Sequence, residues 1–152
     1  MKLSTKGRYA MVALADLAMI ADGELTSLGE IAKRQSISLP YLEQLFVKLR
    51  RGGLVESVRG PGGGYRLARG ADDIRVSDVL EAVDETVSAM EAGAGASGAA
   101  SGSRAQSMTN RLWEGLSAHV YVFLHQTSLS DVVANGLAPC PAVPALLEVV
   151  DE

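Results

Sequence analysis

Apolar positions fall into a helical rhythm over most of this chain. Residues 9–21 are almost entirely apolar and predict a helix buried on most sides. Ser27-Leu-Gly-Glu30 has the form of a capping box and opens a second helix, which runs through Ile31 and Ala32 to about Arg34. A third helix follows, with Ser38 as N-cap and Pro40 in its first turn. Its apolar residues Leu42, Leu45, Phe46 and Leu49 stand at i, i+3, i+4 and i+7, and Gly52-Gly53 supplies a left-handed stop.

The rhythm then changes. Leu54–Val58 and Tyr65–Ala68 read as two short strands around Arg59-Gly-Pro-Gly-Gly-Gly64, a stretch too rich in glycine to be anything but a loop. A further helix is expected over 76–87, with Val76, Val79, Leu80 and Val83 on one face. Residues 92–103 are only Gly, Ala and Ser, which offer nothing large to bury and predict a flexible connection. A long helix returns from about Ser107 to Gln126, and a short one covers Leu129–Ala134. The end from Pro139 to Pro144 shows no regular pattern. Three helices followed by a hairpin form a winged helix-turn-helix. The expected fold is therefore mainly α with a small β-hairpin, a winged helix-turn-helix plus a long dimerisation helix. The expected boundaries are 1–87 for the winged helix, 88–106 for the flexible connection, 107–135 for the long helix and the short one after it, and 136–152 for a Pro-containing tail.

Charge separates these regions. The 152 residues carry a net charge of −4, but residues 1–75 hold twelve Lys and Arg against eight Asp and Glu, a net +4. The remainder holds two against ten, a net −8. A basic head on an acidic remainder fits nucleic-acid binding by the first half. The single cysteine, Cys140, excludes an intrachain disulfide framework. Lys2, Lys6 and Arg8 ahead of an apolar run imitate a signal peptide, but Asp16 in the middle of that run argues against one. No run reaches the ~18 apolar residues of a membrane span, so a cytoplasmic protein without membrane partners is expected.

The third helix also has a polar face. Tyr41, Gln44, Lys48 and Arg51 recur at spacings of three, four and three, opposite the apolar stripe. Tyr41 and Gln44 can bond base edges or phosphates, and glutamine reads adenine with two bonds. Lys48, Arg50 and Arg51 suit phosphates, contacts that set register more than sequence. An ordinary amphipathic helix with a solvated face would look the same; the loop discriminates. Arg59 stands beside Gly60, Pro61, Gly62, Gly63 and Gly64, whereas a plain hairpin needs only two or three turn residues. Bare backbone can approach a phosphate or groove closely, and Arg59 can read a base or a narrow minor groove. A nucleotide-binding P-loop would end in Lys-Ser/Thr and precede a helix, and this loop does neither.

Several motifs fall in the order found in one group of regulators. Lys6-Gly-Arg-Tyr-Ala10, Ser38-Leu-Pro-Tyr-Leu-Glu-Gln-Leu-Phe46, Leu49-Arg-Arg-Gly-Gly-Leu-Val55 and Val58-Arg-Gly-Pro-Gly-Gly-Gly-Tyr65 resemble the iron–sulfur cluster regulator (IscR) family over about the first 90 residues. Leu112-Trp-Glu-Gly-Leu116 extends the likeness into the long helix. The resemblance implies that Ser38, Tyr41, Glu43 and Gln44 belong to a recognition helix, that Arg59 contacts a base from the wing, and that Lys6 joins the DNA-binding set. Glu43 then repels phosphate and accepts chiefly from a cytosine amino group, helping to separate two classes of site. Pro40 stands where relatives often have serine.

The resemblance also implies a [2Fe–2S] iron–sulfur cluster held by three cysteines and a histidine just before the long helix. Registered on Trp113, those positions fall near Gly95 and on Ser101, Ser107 and Asn110, so all four usual ligands are absent. Three readings stay open. One is a family branch that keeps a cluster with other ligands, Cys140 as the anchor and His119 or His125 assisting. Another is a cluster-free regulator, and the third a chain from which the ligands were removed. His119 and His125 stand about 240° apart around a helix, a poor chelating pair. The stripe Leu112, Trp113, Leu116, Val120, Phe123 and Leu124 is too apolar for a lone helix and points to a homodimer, whose twofold axis would meet a roughly palindromic double-stranded operator. The expected function is a DNA-binding repressor of iron–sulfur cluster assembly or iron-homeostasis genes, with no small-molecule substrate. The rival is a winged-helix protein-interaction module, which would not need Arg59 beside a Gly/Pro loop. An enzyme is not expected, since no nucleophile elbow, P-loop, metalloprotease helix or paired-cysteine site is present.

Overall fold

The structure, a computed structural model, describes residues 4–20, 23–85 and 103–134. Of the expected flexible connection at 88–106, residues 88–102 lie outside these residues, as do the tail and Cys140, whereas 104–106 are helical and not part of a loop. Helix α1 spans Thr5–Ala18, four residues ahead of the expected start. Its first turn is capped from far along the chain. The main-chain N–H of Ser4 donates to Glu85 Oε1 at 3.3 Å, and the Ser4 hydroxyl donates to the other carboxylate oxygen. Gly7 gives that carboxylate room, because a Cβ there would stand 3.0 Å from Glu85 Oε2. The expectation that this helix is buried on most sides is met except along one exposed strip. Ala10, Ala13, Leu14 and Leu17 are buried, while Tyr9, Val12 and Met19 are exposed. Met11, Ala15 and Ala18 are partly buried against the same core.

Helix α2 (Leu28–Gln35) opens with the capping box read from the sequence, Ser27 and Glu30 each bonding the other's main-chain N–H. Helix α3 covers Leu39–Arg51, with Ser38 in the N-cap place but making no side-chain cap bond. Gly53 takes φ +73° just after it, as a left-handed stop requires. Strands β1 (Val55–Val58) and β2 (Gly64–Leu67) pair antiparallel, with Val55 opposite Leu67 and Val58 opposite Gly64. A 3₁₀ turn at Ala71–Asp73 leads to α4 (Val76–Ala82), which is shorter than expected. Helix α5 covers Arg104–Gln126, and α6 covers Leu129–Val133.

The core lies among α1, α2, α3, β1 and α4, where Leu14, Ile31, Leu42, Phe46, Leu49 and Leu54 are fully buried. Leu129 of α6 is fully buried in this same cluster. Its main-chain N–H donates to the Ile74 carbonyl at 2.8 Å, and Val76 N–H donates to the Thr127 carbonyl at 2.9 Å. The chain beyond α5 thus returns across the expected boundary at residue 87 and helps fill the winged-helix core. Asp16, the one charged residue in the apolar run of α1, is buried and accepts from Arg34 Nη2 at 2.6 Å and Nε at 3.1 Å, and from Gln35 Nε2 at 2.7 Å. These bonds tie α1 to α2. The Arg34 guanidinium holds the Asp16 carboxyl below its ordinary range against the opposing effect of burial, with Gln35 adding to the effect.

Candidate nucleic-acid interface

The hairpin loop is built so that only glycine serves. Gly60 and Gly62 take φ +108° and +74°, conformations that side chains with a Cβ rarely adopt. Gly64 serves by close approach instead, because a Cβ there would lie 2.6 Å from the Thr26 carbonyl oxygen. That approach completes a contact absent from the strand pattern. Thr26 N–H donates to the Tyr65 carbonyl at 3.1 Å, and Tyr65 N–H donates back at 2.7 Å. The segment before α2 therefore pairs with the wing as a third short edge. The glycine immediately before Tyr65 was the available signal for it. Tyr65 also meets Phe46 edge-on, with ring centroids 5.0 Å apart, so the wing is set against the inner face of α3.

On the outer side of α3, Glu43, Gln44, Arg50 and Arg51 are exposed, and so is Ser38, whose hydroxyl is not used as a cap. Arg59 is exposed in the wing, as are Gly60, Pro61 and Gly62. Arg50, Arg51 and Arg59 have no hydrogen-bond or ion-pair partner among the described residues, so their charge is open to an anion. Arg66 in the wing is different, being paired with Glu56 directly across the hairpin. Tyr41 is half-buried rather than fully outward, its ring edge-on to Tyr9 at 5.7 Å. Leu39 is an exposed apolar side chain at the start of α3 that periodicity alone does not single out.

Two cations of the expected DNA-binding set have partners within the chain. Lys48 Nζ lies 2.8 Å from Asp84 Oδ2, and Lys6 Nζ donates to the Asp84 carbonyl at 2.9 Å. Lys48, by its hydrogen bond and its charge, holds the Asp84 carboxyl below its ordinary range.

Helix α5 has no buried residue. Leu112, Trp113, Leu116 and Phe123 of the expected seam are exposed, joined by Met108, Tyr121 and Val122. Val120 and Leu124 are half-buried, and Leu124 lines a cavity of about 470 Å³ shared with Ser77, Leu80, Glu81, Asp84, Glu85 and Tyr121. Leu124 thus faces its own chain in part, against the expectation of a single seam residue set. The reason is that the end of α5 is drawn to α4 by the Thr127 and Leu129 main-chain bonds.

The described residues do not by themselves fit an iron–sulfur cluster. No group of three or more His, Cys, Asp or Glu among them could hold a metal ion. His125 Nδ1 lies 3.3 Å from Ser77 Oγ and its ring stacks on Tyr121, while His119 is exposed. Asn110, where the resemblance places a histidine, has a buried Oδ1 without a hydrogen-bond partner, an amide oxygen and not a nitrogen or sulfur donor. Among the described residues no helix is long and apolar enough to cross a membrane.

A three-helix unit whose third helix exposes Arg50 and Arg51, followed by a glycine-built wing that exposes Arg59, has the architecture of a winged helix-turn-helix regulator of transcription. The model of the Rrf2 family, described as an iron-dependent transcriptional regulator, matches residues 3–135, and the chain belongs to this family. It is 75% identical to the HTH-type transcriptional regulator IscR of Cereibacter sphaeroides over all of this chain and 99% of that protein. Among solved structures it is similar to T. potens IscR, at TM-score 0.70 and 37% identity over 90% of this chain and 88% of that one. It is also similar to CymR, the global cysteine regulator of B. subtilis, at TM-score 0.75 and 33% identity over 89% and 98% of the two chains. The family is one of regulators and not of enzymes.

Proposed function

We propose that this regulator binds an operator as a homodimer, with α3 in the major groove and the Arg59 wing beside it, and represses genes of iron–sulfur cluster assembly or iron homeostasis. The observation that carries the DNA reading is the wing. Arg59, exposed and without a partner among the described residues, projects from a loop whose glycines permit close backbone approach. Ser38, Glu43 and Gln44 face the same medium at the start and middle of α3 and suit base edges, while Arg50 and Arg51 suit phosphates. Such a protein works in the bacterial cytoplasm, where the DNA is. The gene class is supported by the name of the 75%-identical relative.

The homodimer is supported by α5, a helix of 23 residues with none buried and seven large apolar side chains exposed. A second copy about a twofold axis covers that face and sets two heads on a roughly palindromic site. On an operator selected from a random pool, Arg59→Ala should weaken specific binding by about 1–3 kcal/mol while binding to random duplex changes far less. An unchanged ratio of specific to random affinity would remove Arg59 from base readout.

Iron sensing rests on Cys140, outside the described residues, and on the family's description. Iron and acid-labile sulfide measured on protein purified without oxygen, beside Cys140→Ala, test it. Iron and colour lost in the variant support a single-cysteine anchor, and neither present in the wild type excludes one.

A further inference from the structure

Helix α4 ends in a Schellman turn. Asp84 N–H donates to the Glu81 carbonyl at 3.0 Å, and Glu85 N–H donates to the Leu80 carbonyl at 2.9 Å. The left-handed place in such a turn normally goes to glycine, but here Asp84 holds it at φ +56°. Backbone geometry therefore does not account for aspartate at this position, and its side chain does. The carboxylate meets Lys48, from the outward stripe of α3, and the carbonyl of the same residue takes Lys6 from the first turn of α1. Glu85 pins the next peptide to Ser4, so Asp84 is held where both lysines converge.

The Lys48–Asp84 pair is open to solvent, with side chains 41% and 75% exposed. An exposed pair of this kind is weak and easily exchanged. A DNA phosphate presents the same chemistry as the Asp84 carboxylate: an anionic oxygen acceptor for Lys48. We propose that the Asp84 carboxylate is an autoinhibitory stand-in for phosphate that occupies Lys48 in the free protein and so lowers affinity for DNA of any sequence by about one phosphate contact. Base-reading contacts from Gln44 and Arg59 do not involve Asp84, so they are untouched by this competition. The carboxylate therefore lowers affinity for operator and random DNA alike. This rests on the DNA-binding reading above.

The test uses the full chain and fluorescence anisotropy, with a short random-sequence duplex and the selected operator, over a series of salt concentrations. Asp84→Asn and Asp84→Gly both remove the charge in residues that tolerate the left-handed turn. Each should tighten random-duplex binding by roughly 3- to 10-fold at low salt and steepen the log–log salt slope by about 1, as one added phosphate contact does. Operator binding should gain by about the same factor, because the phosphate contact is common to both duplexes, and the ratio of the two affinities should stay near the wild-type value. Adding Lys48→Gln to Asp84→Asn should return both affinity and slope to near the wild-type values. Random-duplex affinity unchanged or weakened in both single variants, with melting temperatures at or above wild type, overturns the proposal while leaving the DNA reading intact. Wild-type protein that binds neither duplex at low salt overturns both.

Discussion

Within residues 4–85 the apolar side chains close on one another, Phe46, Leu42 and Leu49 of α3 among those fully buried, whereas α5 leaves Trp113, Leu116 and Phe123 in solvent. The two regions treat polar groups differently as well. In the head, Asp16, Thr26, Glu30 and Arg34 are joined by short hydrogen bonds across α1 and α2. The head completes its own core, helped by Leu129, while α5 leaves seven large apolar side chains exposed. Apolar exposure concentrated on one helix marks an interface, whereas scattered exposure such as Met19 needs no explanation.

That contrast can be broken from either side. The largest effect is expected at Leu116→Lys. Losing one buried leucine from each copy at about 1.5–3 kcal/mol apiece should weaken the dimer by about two to four orders of magnitude. Analytical ultracentrifugation reads this, and the head should keep its circular dichroism. A dimer unchanged in mass would place the seam elsewhere. The reverse case is Leu129→Ala, which lies beyond α5 yet should destabilise the head by about 2–5 kcal/mol, read by urea unfolding of the dissociated Leu116→Lys form. No loss there would mean that α6 is dispensable to the core.

A smaller effect follows from charge. Asp16 is held below its ordinary value of 3.8, with the Arg34 hydrogen bonds as the largest cause. A carboxyl lowered by folding adds stability that is present above its unfolded pKa and is lost as pH falls through the folded one. The stability gap between wild type and Asp16→Asn should therefore be full at pH 7 and shrink below about pH 4, on urea curves taken down the pH scale. A gap independent of pH would show that the bond, and not its charge, ties α1 to α2. The smallest effect belongs to Glu56→Gln. Its partner Arg66 is on the exposed side of the hairpin, so unfolding curves should superimpose on wild type within error.

Much of the head was legible because its signals are local. The Ser27/Glu30 capping box, the Leu42-to-Leu49 stripe and the Gly52-Gly53 stop each depend on residues within one or two turns of each other and appear in the structure as read, and so does the loop from Arg59, except that Gly64 already belongs to β2. The long helix was legible too, from the same periodicity. Within the candidate interface, the exposure of Gln44 and Arg59 followed from helix phase and loop chemistry.

Other features depended on where rigid elements come to rest. Thr26 pairs with Tyr65, Leu129 enters a core begun by α1, and Asp84 takes Lys48 and Lys6, each joining residues at least 36 positions apart. Tyr41 looked outward by helix phase, but Tyr9 of α1 covers one edge of it. Periodicity states which face of an element is apolar, and the sequence by itself determined that much. Which element covers that face, and which cation meets which carboxylate, was decided only by tertiary structure. Burial is collective, and electrostatic pairing falls off over a few ångströms that sequence distance does not measure.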